Sequence, residues 1–233
     1  MKLETVPVID STSDALKRRL AAGETAEVAL IAGEQTGGKG RLGRRWESPQ
    51  GNLYMSVLLR PGRIRAPGQW SILSAVALAE TIAPLVQPPA ELKLKWPNDL
   101  LLDGGKLAGI LLEAGDDNGP WLLIGYGVNL FTAPVGLDRP AVALASRVPP
   151  PAPDAMARAL LAQLAKWRAR YAEEGFEPVR NAWMDHGPAP DERVSAIYNG
   201  RAIEGAFAGI AATGGLRLDT PTGPRTIVSG ELF

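Results

Sequence analysis

One segment, WSILSAVALAETIAPLV (residues 70–86), limits the possible folds more than any other, because it is apolar on most of its faces. A helix of that kind has to be buried. The segment therefore predicts a central buried helix that ends near Pro84. The chain has 233 residues, of which 45% are hydrophobic, and this is enough for a substantial core. The length allows one large domain, or one domain with a small appendage.

The other periodic segments are both helical and extended. Residues 11–22 predict a capped helix, with a Ser/Thr cap followed by an acid in the first turn. Residues 154–175 predict an amphipathic helix. Alternating or continuous apolar runs predict strands over residues 26–34, 52–60, 92–96, 107–114 and 121–130. The last two of these strands are joined by a DDNG turn.

The composition changes after His186. From Arg193 onward, short strand-like runs are separated by NG, TGG and PTGP. This pattern predicts a small β-barrel, which is too small to bury much core alone and is expected to pack on the main domain. We therefore predict two domains, residues 1–185 and residues 186–233.

Composition excludes several classes of function. Lys plus Arg number 25, as do Asp plus Glu, and the resulting zero net charge argues against a dedicated nucleic-acid binder. The chain contains no cysteine, which excludes disulfides and thiolate chemistry. Its one histidine, His186, lacks a partner at metal-ligand spacing. No signal peptide and no apolar run of about 18 residues is present, so we expect a cytoplasmic protein with no membrane association.

The segment GEQTGGKGRLGRRW (residues 33–46) concentrates five glycines and four cations. Glycine loses much backbone entropy on ordering, and clustered like charges repel. We expect such a segment to become ordered when an anion binds, through main-chain N–H groups and charge-assisted hydrogen bonds. It fits neither a Walker loop nor a Rossmann fingerprint. A mobile surface loop and an RNA-binding loop are the alternatives for this segment alone.

The segment KWPNDLLLDGGKLAGILLE (residues 95–113) narrows these alternatives. Asn98 offers the paired donor and acceptor that suit an adenine edge. Asp99 suits Mg²⁺, which usually takes one or two carboxylates together with phosphates. Lys106 directly precedes an apolar strand, which would hold its ammonium in a pocket. Taken singly, Asn98 and Asp99 are explained equally well as turn residues, and Lys106 is better explained as a solvated turn lysine.

Five motifs together resemble those of the biotin protein ligases. GKGRLGRRW (38–46) is similar to the family's G-R-G-R-x-G-R-x-W, and KWPND (95–99) matches in full. DSTS, GKLAGILLE and GYGVN also resemble family motifs, and all five occur in the family's order. This resemblance implies an α/β (α+β) fold: a mixed-sheet catalytic domain like the class II synthetases, and a small C-terminal SH3-like barrel.

The resemblance also implies the reaction. Biotin and ATP, with Mg²⁺, would give biotinyl-5′-AMP, from which biotin passes to a lysine of a biotin carboxyl carrier protein. The chain resembles the ligase-only class without an N-terminal DNA-binding domain, so no specific nucleic-acid binding is expected. Family members occur as monomers and as homodimers.

The family's functional residues are carried over by position. Those implied for catalysis are Lys106, Arg41 and Asp99, the last also as the Mg²⁺ ligand. Those implied for biotin are Ser11, Thr12, Gln35, Gly38, Lys39, Arg41, Trp46, Lys106 and Gly109. Those implied for the nucleotide are Arg41, Arg44, Trp46, Asn98, Lys106 and Asn129.

Two residues depart from the family pattern. Lys39 replaces the usual loop arginine, which keeps the charge but loses the bidentate fork. Ser13 replaces the asparagine of D-S-T-N. The nearest alternative function is a lipoate or octanoate ligase or transferase of the same fold. Such an enzyme needs an apolar acyl tunnel and no group that reads a ureido ring, so Ser11, Thr12 and Gln35 favour biotin.

Overall fold

The structure is a computed structural model that describes residues 1–64, 66–136 and 140–232. The chain divides into two compact units. The first comprises Met1–Arg65 and Gly104–Leu161, and the second comprises Ala66–Asp103 and Ala162–Phe233. The domain division at residue 186 stays a prediction.

The first unit is built on a mixed sheet. Its strands are β1 (Lys2–Ile9), β2 (Val28–Gln35), β3 (Leu53–Leu59), β6 (Gly105–Gly115) and β7 (Trp121–Val128). Their order in space is β1-β2-β3-β7-β6. β1 runs parallel to β2, and the other neighbouring pairs are antiparallel. The predicted α/β class with a mixed sheet is confirmed.

Helix α1 (Thr12–Ala21) covers part of this sheet. The side chain of Ser11 caps it by accepting a hydrogen bond from the main-chain N–H of Asp14, at 3.3 Å. Its apolar stripe is buried in a cluster with residues of β2, β3 and β7, formed by Ala15, Leu16, Leu20, Val28, Leu30, Leu58 and Leu123. The helix predicted over residues 11–22 is therefore present, and it fixes Ser11, Thr12 and Ser13 at its buried first turn.

The second unit contains the apolar helix predicted from the sequence. α2 (Pro67–Ile82) has buried residues at almost every position from Trp70 onward, and a 3₁₀ turn follows it over Ala83–Leu85. Strands β4 (Leu92–Lys95) and β5 (Asp99–Leu102) form an antiparallel hairpin. Helix α3 (Pro153–Glu174) runs across the boundary between the units, and α4 (Glu177–Met184) follows it.

The C-terminal strands of the second unit form an antiparallel sheet in the order β11-β10-β9-β8-β12. They are β8 (Arg193–Tyr198), β9 (Arg201–Ile210), β10 (Leu216–Thr220), β11 (Gly223–Ile227) and β12 (Glu231–Leu232). Asn199 and Gly200 connect β8 and β9 with φ angles of 51° and 73°, as a two-residue hairpin requires. The short strands predicted after Arg193 are confirmed, and the SH3-like barrel stays a prediction.

Among the described residues, no helix combines the length and apolar character needed to span a membrane.

Candidate active site

The glycine-rich segment turns back on itself between Gly38 and Trp46. The N–H of Trp46 donates to the carbonyl of Gly38 at 2.9 Å, and the N–H of Gly40 donates to Arg44 at 2.7 Å. The tip lies at Leu42 and Gly43, whose φ angles are 57° and 74°. We call residues 38–46 the hairpin loop. Its ordering by a ligand stays a prediction.

Gly38 lies in a crowded part of the hairpin loop. A Cβ at this position would lie 2.5 Å from the carbonyl oxygen of Trp46 and 2.6 Å from Oγ of Ser48. Real Cβ atoms do not approach other atoms so closely, so this position of the hairpin loop requires glycine.

A buried network of neutral polar groups joins the hairpin loop to the first turn of α1. Oε1 of Gln35 accepts from the main-chain N–H of Thr12 at 2.9 Å and from its hydroxyl at 3.1 Å. The Thr12 hydroxyl also contacts Oγ of Ser56 at 2.7 Å, and Ser56 contacts Oγ of Ser13 at 2.8 Å. Thr12 is 3% exposed and Ser56 is fully buried. Neutral donors and acceptors of this kind suit an uncharged polar ligand group.

Ser11 is also buried beside this network, and its main-chain N–H donates to Oδ1 of Asp10 at 2.8 Å. Arg18 forms two 2.8 Å bonds to the same carboxylate. Because of this guanidinium, the pKa of Asp10 is lowered from 3.8 to about 2. Asp10 therefore stays ionised next to the site at physiological pH.

Trp46 packs on a pair of glycines that face each other across β6 and β7. Gly109 and Gly127 are direct cross-strand partners. A Cβ on Gly127 would lie 2.5 Å from Cε2 of Trp46, and one on Gly109 would lie 3.0 Å from Cζ3. The indole therefore lies against main chain where two side chains are missing. Its buried Nε1 has no hydrogen-bond partner among the described residues, so this donor is available to a ligand.

Lys106 lies beside the same indole. Its Nζ is 5.4 Å from the centroid of the Trp46 ring, within the range of a cation–π interaction. Its main chain is held on both sides, because its N–H donates to Pro140 at 2.9 Å and its carbonyl accepts from Val142 at 3.0 Å. Lys106 is thus a cation with a fixed backbone next to a flat aromatic surface.

Asn129 supports this arrangement from the end of β7. Its Nδ2 lies 3.3 Å from the carbonyls of both Lys106 and Val142, so its amide donors point at main chain. The residue is 2% exposed. The structure thus places Asn129 beside Lys106, and its predicted contact with adenine stays a prediction.

The loop cations occupy different surroundings. Nζ of Lys39 lies 2.6 Å from Oδ2 of Asp14 in α1, and this hydrogen-bonded carboxylate raises the pKa of Lys39. Arg41 begins the 3₁₀ turn at the tip and is half-buried, whereas Arg44 is exposed. An ion pair of this kind with Asp14 does not require the bidentate fork of an arginine.

The first unit therefore brings together most of the predicted site residues. Direct contacts link Thr12, Gln35, Gly38, Trp46, Lys106 and Gly109, with Ser11, Lys39 and Asn129 adjacent and Arg41 and Arg44 on the same loop. Asn98 and Asp99 belong to the second unit, where Asn98 lies in the β4–β5 connection and Asp99 begins β5. The described residues contain no group of three or more His, Asp or Glu side chains that could hold a metal.

Three polar residues of this region were not predicted from the sequence. Ser56 is a polar residue in the apolar strand LYMSVLL. A serine in such a strand predicts a buried hydroxyl, so this residue could have been found from the sequence. Ser48 accepts from Nε2 of Gln35 at 3.0 Å. Asn52 accepts main-chain hydrogen bonds from Leu130, Phe131 and Thr132 at 2.9, 2.9 and 3.2 Å. Neither Ser48 nor Asn52 is distinguished by spacing from an ordinary turn residue.

Two family models match the chain. Residues 5–129 match the biotin/lipoate A/B protein ligase family, and residues 191–233 match the biotin protein ligase C-terminal domain. The biotin–[acetyl-CoA-carboxylase] ligase of Paracoccus denitrificans is 37% identical, over 96% of this chain and 97% of that relative. The bifunctional ligase/repressor BirA of Escherichia coli is 31% identical, over 97% of this chain and 72% of its own length.

A solved structure agrees with these relatives. The biotin protein ligase from Aquifex aeolicus, in complex with biotin and ATP, superposes with a TM-score of 0.86 and 27% sequence identity. The match covers 100% of this chain and 97% of that one.

Proposed function

The chain belongs to the biotin/lipoate A/B protein ligase family, and from this premise we propose that it activates biotin with ATP and transfers it to a carrier protein. The product of the first step is biotinyl-5′-AMP, and the acceptor is a lysine of a biotin carboxyl carrier protein. The relative from Paracoccus denitrificans is a biotin–[acetyl-CoA-carboxylase] ligase, and the structure from Aquifex aeolicus is a biotin protein ligase in complex with biotin and ATP, which supports biotin over lipoate or octanoate as the substrate.

One observation carries this proposal: Trp46 is in contact with two chemically different groups. Its carbonyl accepts a hydrogen bond from Oγ of Ser48. Ser48 in turn accepts a hydrogen bond from Gln35, which belongs to the network of neutral polar groups at the first turn of α1, here called the neutral network. Its ring faces the ammonium of Lys106. A ligand with an uncharged urea at one end and a carboxylate at the other fits such a pair of environments. Biotin is such a molecule.

In the first step, a carboxylate oxygen of biotin attacks the α-phosphorus of ATP. A new P–O bond forms, and the bond to pyrophosphate breaks. Two anions must approach each other, so positive charge has to be placed where negative charge accumulates. We assign this role to Lys106 and Arg41, with Lys39 released from Asp14 as a further cation of the loop.

In the second step, the lysine amine of the carrier attacks the acyl carbon. A C–N bond forms, the C–O bond to AMP breaks, and the proton lost by the amine passes to solvent water. Lys106 stabilises the negative charge that develops on the acyl oxygen and on the departing phosphate. Trp46 and the hairpin loop exclude water from the mixed anhydride between the two steps.

We assign the nucleotide to Arg44, Asn98 and Asn129 as well, and Mg²⁺ to Asp99. A single carboxylate fits a magnesium ion that arrives with phosphates, because Mg²⁺ commonly takes one or two carboxylates and completes its shell with phosphates and water. Bound in this way, the ion would neutralise phosphate charge. We also assign the chemistry to residues 1–185 and a separate C-terminal domain to residues 186–233, which the C-terminal family match over residues 191–233 supports.

The test is exchange of labelled pyrophosphate into ATP, with biotin, lipoate and octanoate supplied separately. Exchange that depends on biotin alone is expected. Exchange with lipoate or octanoate but not biotin would contradict the assignment of the neutral network to a urea. Transfer is then tested with a biotin carboxyl carrier domain and with its Lys→Arg variant as control.

A further inference from the structure

We propose that Ser48 is a positioning residue for biotin: it orients the amide of Gln35 and connects that amide to the hairpin loop. The inference rests on the proposed function, because Gln35 is assigned to the ureido ring of biotin. Ser48 is 7% exposed and lies between the two groups that it joins.

The orientation of the Gln35 amide follows from one contact. A main-chain N–H can only donate, so the Gln35 atom that lies 2.9 Å from the N–H of Thr12 must be the oxygen, Oε1. The nitrogen, Nε2, therefore faces Ser48, whose Oγ lies 3.0 Å away.

The direction of the Ser48 hydrogen bonds follows in turn. Oγ of Ser48 accepts from Nε2, and its single proton is donated to the carbonyl of Trp46 at 3.1 Å. The missing side chain of Gly38 makes room for this junction, because a Cβ there would lie 2.6 Å from Oγ of Ser48. Ser48 thus connects Gln35 directly to the main chain of the hairpin loop.

The same reasoning fixes the other side of the network. The hydroxyl of Thr12 donates to Oε1 of Gln35, so Ser56 must donate to Thr12, and Ser13 to Ser56. On Thr12 and Gln35, this leaves an acceptor lone pair of the Thr12 hydroxyl and one N–H of Nε2 for a ligand. A urea needs both, since it offers N–H groups and a carbonyl oxygen.

The two hydrogen bonds of Ser48 therefore couple Gln35 to the hairpin loop. Without its hydroxyl, Nε2 of Gln35 loses its acceptor and the carbonyl of Trp46 loses a donor, so both the urea-facing amide and the loop are loosened together. A serine with only a structural role would affect the stability of the whole protein but would not couple Gln35 to the loop.

The first test is a double-mutant cycle without any ligand, made of Ser48→Ala, Gln35→Ala and the double variant. The readout is the rate of tryptic cleavage between residues 41 and 45. One hydrogen bond corresponds to a factor of about 2 to 10. Each single variant should raise cleavage by about that factor, and the double variant by no more than the larger single effect. The proposal would be overturned if the double variant raised the cleavage rate by the product of the two single effects. It would also be overturned if Ser48→Ala left the cleavage rate unchanged.

Ser74→Ala is the matched control. Oγ of Ser74 is also buried and also donates to a tryptophan carbonyl, that of Trp70, at 2.6 Å, but it lies in α2 of the second unit. It should leave loop cleavage within twofold of the wild type. Unfolding midpoints of all variants separate a loosened loop from a destabilised fold.

The second test measures Kd values for biotin and ATP by calorimetry. Ser48→Ala should weaken the binding of biotin about five- to tenfold and that of ATP less, because biotin contacts the amide of Gln35 as well as the hairpin loop, whereas ATP contacts only the loop of these two. Equal weakening of both ligands, or of neither, would contradict a positioning role. A wild-type protein that binds no biotin would instead refute the proposed function, and the cycle without ligand would still decide whether Ser48 couples Gln35 to the loop.

Discussion

At the scale of single residues, Lys106 is distinguished by how firmly its backbone is held. Main-chain hydrogen bonds to Pro140 and Val142 fix it on both sides, and the amide of Asn129 adds a third contact. A lysine that stabilises a transition state benefits from such fixed placement, because little reorganisation is then needed during the reaction.

We therefore expect Lys106→Ala to lower biotin-dependent pyrophosphate exchange by about 100- to 1000-fold, the usual effect of removing one preorganised electrostatic donor. Circular dichroism and the unfolding midpoint should stay near those of the wild type. Lys93→Ala is the control, since Lys93 is an exposed lysine of β4 that pairs with Glu91 at 3.0 Å. Near-normal exchange by Lys106→Ala would remove the role assigned to this residue.

Asp10 leads to a prediction about pH. Its pKa is lowered from 3.8 to about 2 by Arg18, so its ion pair stabilises the folded state fully above about pH 4 and is lost as the pH falls toward 2. The effect is small, because the two side chains are 59% and 50% exposed. Asp10→Asn should therefore unfold at a lower urea concentration than the wild type at pH 6, and the difference between their midpoints should narrow steadily between pH 4 and pH 2. A gap that widens on acidification would contradict this.

At the scale of secondary-structure elements, the facing glycines of β6 and β7 determine where Trp46 lies. In Gly127→Ala the new methyl group would lie 2.5 Å from the indole, which has to move. We expect biotin-dependent exchange to fall at least tenfold and the tryptophan fluorescence to change. Gly109→Ala, with 3.0 Å to the same ring, should have a weaker effect.

A second substitution separates the displacement of Trp46 from damage to the sheet. If the clash with the indole is the cause, adding Gly127→Ala to a Trp46→Ala background should cost little further activity. A large additional loss would show that Gly127 matters for β7 itself.

The hairpin loop should respond to ligands. Since its cations lie where two anions are to be bound, we expect biotin with ATP to slow tryptic cleavage between residues 41 and 45 at least fivefold. Cleavage after Arg193, on the C-terminal sheet, is the internal control. Equal cleavage of the loop with and without ligands would contradict an ordering role for the substrates.

Sequence patterns predicted the elements that show a clear period or lie between turn signals, and they missed β1, β5 and α4. α1, α2, α3, β2, β3, β6 and β7 follow from periodicity and caps. β1 was missed because Pro7 interrupts it and most of its residues are at least partly exposed, which is possible since it is the first strand in the sheet order. The four-residue β5 and eight-residue α4 are too short to show a period.

The candidate site shows the same limit. Motifs indicated Gln35, Trp46 and Lys106, because each lies in a segment with an unusual composition. They could not indicate Ser48 or Asn52, whose importance depends on partners up to 80 residues away in sequence. Hydrogen bonds between segments distant in sequence follow from the fold, and a local sequence pattern does not predict them.

At the scale of the whole molecule, the residues assigned to biotin all belong to the first unit. Biotin alone should therefore slow amide hydrogen exchange in that unit, around residues 10–14, 33–48 and 105–110. It should leave the strands over residues 193–232 unchanged. Protection confined to residues 193–232 would mean that the neutral network has been assigned the wrong ligand.

The hydrogen bonds that Asn52 accepts from Leu130, Phe131 and Thr132 also have a use in protein engineering. Asn52 accepts hydrogen bonds from residues 130–132, at the start of the connection after β7. Asn129 and Lys106 form hydrogen bonds with Val142, at its end. Both ends of the connection are therefore fixed by hydrogen bonds. Closing a longer loop between fixed ends costs only about 0.6 kcal/mol for each doubling of its length. Val135 lies within this connection and is 93% exposed. A peptide epitope inserted next to it should leave the fold intact and mark the protein for capture.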